Sequence, residues 1–152
     1  MNTLTNIQID DLLEYIKHYK GCFSKDEIRT KLKEGYYVIN LQNSKEGNGT
    51  HWCCLYVTKY YDFWFDSYGF ICPENIERLC DKLVYSSKMI QPLNSSSCGY
   101  YVVLFIMFMN RYDINDNLLI VKFNDFLNLF KTDVKLNEII LKNELLKYNI
   151  IM

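Results

Sequence analysis

Cys98 sits where a thiol can become a nucleophile. The polar stretch Gln91-Pro92-Leu93-Asn94-Ser95-Ser96-Ser97 leads into it, and Gly99 and an apolar run to Met109 follow, with no charge before Arg111. Such a run predicts a buried helix with Cys98 and Gly99 at its N-terminus. Unpaired backbone N–H groups and the helix dipole favour negative charge there. A thiol so placed shifts toward thiolate, the form that attacks a carbonyl carbon. It then needs a base, a group to orient that base, and donors for an oxyanion.

The chain has two histidines. His18, between Lys17 and Tyr19 near the end of a predicted helix, reads as an exposed surface residue. His51 opens a predicted strand and can face a cleft, while Trp52 packs on the other side of the pleat. Taken alone, His51 could simply finish a strand. Asp66 ends the following strand. If the two strands pair as a hairpin, residues 51 and 66 come to the same end of the sheet. Asp66 could then hold one imidazole nitrogen and leave the other for a thiol proton; otherwise it caps the turn Ser67-Tyr68-Gly69. The Gln91 amide and the Cys98 backbone N–H are candidate oxyanion donors. In isolation Gln91 reads as a surface residue, and Cys98 as an inert buried thiol.

Several elements must position these groups. Residues 5–19 read as a helix with Ile9, Leu12, Leu13 and Ile16 on one face, and Gly21 can end it. Ser24-Lys25-Asp26-Glu27 has the form of a capping box, which predicts a second helix from Ser24 to about Lys33. Strands are expected over 36–41, 50–58 and 63–66, with a turn-rich loop over 43–49. The 50–58 strand is apolar on both faces and so central in its sheet. Pro73 suits a helix start, with helix to Leu83 and a more polar strand from Val84 to Ile90. Helices over 121–131 and 134–147 close the chain. The pattern is α+β: a small, mostly antiparallel central sheet flanked by helices.

Composition sets the frame. A chain of 152 residues predicts a single domain over residues 1–152 with a real core. With 49% hydrophobic and 23% charged residues it is an ordinary globular composition. A net charge of -1 supplies no global attraction to nucleic acid. No basic-then-apolar leader opens the sequence, and the longest apolar run is far below the ~20 residues of a membrane span. The six cysteines (22, 53, 54, 72, 80, 98) show no C-x-x-C spacing, which argues against a zinc site and a disulfide framework. A reducing, intracellular setting is expected.

The order His51-Trp52, Asp66, Gln91, Cys98-Gly99 resembles the adenain-like cysteine proteases. These are the maturation proteases of adenoviruses, virophages and Polinton-type elements, kin to the SUMO and ubiquitin-like-protein proteases. The matching stretches are Gly49-Thr50-His51-Trp52, Phe65-Asp66-Ser67-Tyr68-Gly69-Phe70, and Gln91 through Tyr100. Gly21-Cys22-Phe23-Ser24-Lys25-Asp26-Glu27 is similar to an N-terminal motif of the virophage and Polinton relatives. The likeness covers roughly residues 20–112 and implies a papain-like, adenain-like protease fold.

By that resemblance Cys98 is the nucleophile, His51 the base, Asp66 its orienting acid, and Gln91 an oxyanion donor. Trp52 and Gly99 line the substrate channel. A narrow channel implies cleavage after Gly-containing motifs, in a viral capsid or precursor protein during virion maturation. The resemblance implies no metal or cofactor and no membrane. It implies a monomer, working in host cytoplasm or virus factory and in the virion. Adenovirus members are activated by a peptide and by DNA. Here the segment between Asp66 and Cys98 is shorter and the charge near neutral, so neither partner carries over directly, although Cys22 or Cys80 could tether a peptide. The alternatives are a deubiquitinase or SUMO-type isopeptidase using the same residues, and a binding module with a degenerate site.

Overall fold

The computed structural model of the chain describes residues 1–45 and 51–150. Most of the Gly-rich loop expected over 43–49, and the strand start at Thr50, lie outside the described residues. The helices are α1 (Asn6–Leu13), α2 (Glu74–Glu77), α3 (Cys98–Met109), α4 (Leu119–Leu127) and α5 (Asn137–Leu146). The strands are β1 (Tyr19–Ser24), β2 (Gly35–Asn40), β3 (Trp52–Val57), β4 (Asp62–Phe65) and β5 (Leu83–Tyr85). They form one five-stranded sheet in the order β1-β2-β3-β4-β5. Among the described residues no helix is long and apolar enough to cross a membrane.

The sheet is mixed. β3 is central and antiparallel to both neighbours, whereas β1 runs parallel to β2 and β5 parallel to β4. The expectation of a mostly antiparallel sheet therefore holds for its middle only. Alternation of side chains across the pleat divides the core in two. Val38, Cys54, Tyr56, Phe63 and Phe65 face the larger cluster, which contains α3, α4 and parts of α1 and α5. Tyr37, Ile39, Cys53, Leu55 and Trp64 face a smaller one, covered by Ile28, Cys72 and Ile76. Both faces of the central strands are dry, which is why β3 reads as an unbroken apolar run.

All twelve residues of α3 are buried. A helix apolar all round has no solvent face and must lie inside the domain. Aromatic packing fixes it: Phe105 stacks on Phe65 at 4.8 Å and meets Phe123 and Phe126 edge-on at 5.7 and 5.3 Å. The nucleophile candidate is thus the first residue of the most constrained element in the fold.

Three predicted helices differ. The helix over 5–19 stops at Leu13, and Tyr19–Ser24 is instead an edge strand. His18 at φ 71° and Gly21 at φ 115° redirect the chain, and the β1–β2 register shifts between Tyr19 and Gly21. The capping box at Ser24 exists, with the Ser24 N–H donating to Glu27 Oε1 at 2.7 Å, but it organises only a 3₁₀ turn over Lys25–Glu27. Beyond it only Ile28 and Leu32 are apolar, too few for a helical stripe. α2 is also shorter than the helix expected to Leu83, and Pro73 is its cap rather than its first residue.

Candidate active site

The β3–β4 hairpin delivers the first two groups. Cys54 pairs with Phe65, so His51, just before β3, and Asp66, just after β4, lie at one end of the sheet. His51 Nε2 is 2.8 Å from Asp66 Oδ1. Asp66 has no solvent exposure, and the His51 side chain is 11% exposed. The turn that follows also uses the carboxylate: the Tyr68 backbone N–H donates to Oδ1 at 2.8 Å. The turn-capping and imidazole-holding roles of Asp66 are therefore combined. Gly69, at φ 78°, lets the chain turn there, with its N–H donating to the Asp66 carbonyl at 2.8 Å.

α3 delivers the third group. Cys98 is buried at the start of α3 and lies beside His51, close enough to bias its ionisation. Nε2 faces Asp66, so Nδ1 is the ring nitrogen left for the thiol. Burial pulls the imidazolium pKa down, but the Asp66 hydrogen bond and the charges of Asp66 and Cys98 outweigh it. His51 is pushed up to about 9. An imidazole that holds its proton beside a sulfur is suited to a thiolate–imidazolium pair.

Two contributors are not among the site residues predicted from the sequence. Cys53 Sγ donates to Asp66 Oδ2 at 3.4 Å. Burial pushes the Cys53 thiol well up, so it stays a neutral donor to the carboxylate. Tyr68 stacks on the His51 ring with centroids 4.7 Å apart. Strand alternation, which puts Cys53 on the same face as His51, could have marked the first, and the Asp66-Ser67-Tyr68-Gly69-Phe70 stretch the second.

Gln91 is fully buried rather than a surface residue. Its Oε1 accepts from Ser67 Oγ at 2.5 Å, and its Nε2 donates to the Ser95 carbonyl at 3.0 Å and to Ser95 Oγ at 3.2 Å. The amide orientation is fixed, because a flipped Oε1 would face a carbonyl oxygen. In this state its donors go to the nucleophile loop.

Trp52 and Gly99 are covered by the chain's own N-terminal segment. Trp52 Nε1 donates to the Leu4 carbonyl at 2.9 Å. A Cβ on Gly99 would lie 3.0 Å from Leu4 Cβ and 3.4 Å from Trp52 Cδ1, so these groups touch where the glycine leaves room. Ser96 Oγ donates to the Met1 carbonyl at 2.6 Å.

A metal ion would find donors only at His51, Cys53 and Asp66, whose ligand atoms lie within 4.8 Å of one another among the described residues. Those atoms already hydrogen-bond each other. The 2.8 Å N···O contact is a hydrogen-bond distance, shorter than the ~3.3 Å between ligands ~2.0 Å from a tetrahedral zinc. The other cysteines are placed elsewhere. Cys22 and Cys80 are partly buried and pushed up to about 12, largely by desolvation. No protein-family model matches this chain, and no curated protein matches it significantly.

Proposed function

We propose that this protein is a cysteine endopeptidase of the adenain-like type, with the papain-like fold of that family. One observation carries the reading: a buried imidazole held by Asp66, with Cys98 beside it at the start of a buried helix and favouring its charged form.

In the proposed reaction Cys98 Sγ attacks the scissile carbonyl carbon. The thiol proton resides on His51 Nδ1, and Asp66 stabilises the imidazolium through Nε2 without taking the proton. The oxyanion is met by the Cys98 backbone N–H and by the Gln91 amide, which keeps one hydrogen on Ser95 and presents the other to the substrate. The C–N bond breaks as His51 returns its proton to the leaving amine. Water, deprotonated by His51, then hydrolyses the thioester and frees Cys98.

In the proposed mode Trp52 and Gly99 border the channel for the residues before the cut once the N-terminal segment that covers them at Leu4 moves aside. A narrow channel favours Gly there, which supports Gly-containing sites in a viral capsid or precursor protein as substrates. The test is turnover of Gly-rich capsid-type peptides by the wild type and by Cys98→Ala. The proposal expects cleavage in the first and none in the second, with the melting temperature retained. Cleavage by Cys98→Ala would remove Cys98 from the mechanism. Preference for ubiquitin or SUMO conjugates over the peptides would move the enzyme to the isopeptidase branch.

A further inference from the structure

Glu138 lies in the first turn of α5, forty residues from the nucleophile and outside the stretch that resembles any protease. Three hydroxyls converge on its carboxylate. Ser95 Oγ and Ser97 Oγ donate to Oε1 at 2.5 and 2.9 Å, and the Tyr101 hydroxyl donates to Oε2 at 2.8 Å. These donors bracket Cys98, two in the loop before it and one in the turn after it.

An ionised carboxylate only accepts. It therefore dictates which way each hydroxyl points. With its hydrogen committed to Glu138, Ser95 Oγ can only accept from its other neighbours. Those are Gln91 Nε2 at 3.2 Å and the Ser97 backbone N–H at 3.0 Å. A carboxylate on α5 thus sets the direction of a hydrogen-bond chain that ends on the Gln91 amide. Ser97, the residue preceding α3, makes no side-chain cap to the helix, because its hydroxyl is turned to Glu138. The first N–H groups of α3 are not taken by that hydroxyl. The neighbouring residue reinforces the same link: Asn137, fully buried, donates from Nδ2 to the Ile90 carbonyl at 2.9 Å, directly before Gln91.

We infer that Glu138 is a positioning residue that fixes the oxyanion side of the site, holding the Gln91 amide and the Cys98 loop through Ser95 and Ser97. The inference rests on the protease reading. It predicts that Glu138 matters for attack on a carbonyl and not for the nucleophilicity of the sulfur.

Two probes separate these. Iodoacetamide alkylates Cys98 by displacement at a saturated carbon, with iodide leaving and no oxyanion. p-Nitrophenyl acetate acylates the same sulfur through a tetrahedral oxyanion: the S–C bond forms, the C–O bond breaks, and p-nitrophenolate leaves. Rates of both are measured on the full chain as wild type, Glu138→Gln, Ser95→Ala and, as a control on the same helix, Glu144→Gln. The expected result is a roughly tenfold loss of acylation in the first two variants, below the ~10²–10³ of deleting an oxyanion donor outright. Alkylation should stay within twofold, and Glu144→Gln should change neither rate.

Equal loss of both rates would mean that Glu138 only supports the fold, and no loss of either would remove it from the site. If Glu138→Gln unfolds, Ser95→Ala carries the same test, since it cuts the chain between Glu138 and Gln91. Failure of the protease reading looks different: wild-type Cys98 would react with both probes no faster than Cys80, and the inference would fall with that reading.

Discussion

Replacing Asp66 by Asn keeps the shape of a fully buried side chain and removes its charge. In the wild type the Asp66 and Cys98 interactions overcome desolvation and push His51 up to about 9. Relative to the ordinary value of 6.5 this is a preference for the imidazolium of about 3 kcal/mol, at 1.36 kcal/mol per pH unit. Without the carboxylate charge, burial acts against the imidazolium with Cys98 and the stacked Tyr68 ring left to oppose it. His51 in Asp66→Asn should therefore titrate at least one pH unit lower than in the wild type. The imidazole Cε1 proton, followed by NMR from pH 5 to 10, reads this directly, and His18→Gln assigns the resonance.

Stability reports the same linkage. A group whose pKa is raised on folding contributes fully below its unfolded value and loses that contribution as pH rises through the folded one. The wild type should lose up to about 3 kcal/mol of urea-unfolding free energy from His51 between pH 6.5 and 9. Asp66→Asn should be flatter over that window. An unchanged His51 titration in Asp66→Asn would refute the claim that Asp66 sets the state of the imidazole.

Three further perturbations test other parts of the account. Tyr68→Ala removes the ring stacked 4.7 Å from His51 and should lower the His51 midpoint by ~0.4–0.7 pH unit, the equivalent of a cation–π contribution of ~0.5–1 kcal/mol, whereas Tyr68→Phe should preserve it. Phe105→Ala empties the centre of the aromatic cluster and should cost about 3–5 kcal/mol by urea unfolding. Gly69→Ala forces a side chain onto φ 78° with its Cβ 3.0 Å from the Ser87 carbonyl; a loss of ~1–3 kcal/mol in thermal melts is expected.

The sequence carried the local parts of this site. β3 and β4 are short, apolar and rich in aromatics, and their hairpin follows from a tight connection, so the meeting of His51 and Asp66 could be anticipated from register alone. α3 was equally plain, because a charge-free run behind a polar loop has one physical outcome. β1 was hidden. Lys20 and Gly21 make it look like a helix end, and its strand character comes from pairing with β2 rather than from its own residues. The long-range partners had no local signature either. Cys53 looks like any buried strand residue until Asp66 is placed opposite it. Asn137 and Glu138 look like ordinary helix-start residues until the fold brings them to Ile90, Ser95 and Ser97. Side chains that act across forty residues are legible only after the helices are packed.

The most direct test of the central claim is the rate of Cys98 alkylation by iodoacetamide as a function of pH, read by mass spectrometry in the wild type and in His51→Ala. Cys22 and Cys80, pushed up to about 12, serve as internal references for unactivated thiols. The account predicts fast labelling of Cys98 well below the ordinary thiol value of about 8.5, slowed at least tenfold in His51→Ala. Labelling of Cys98 no faster than Cys80, and indifferent to His51, would contradict it.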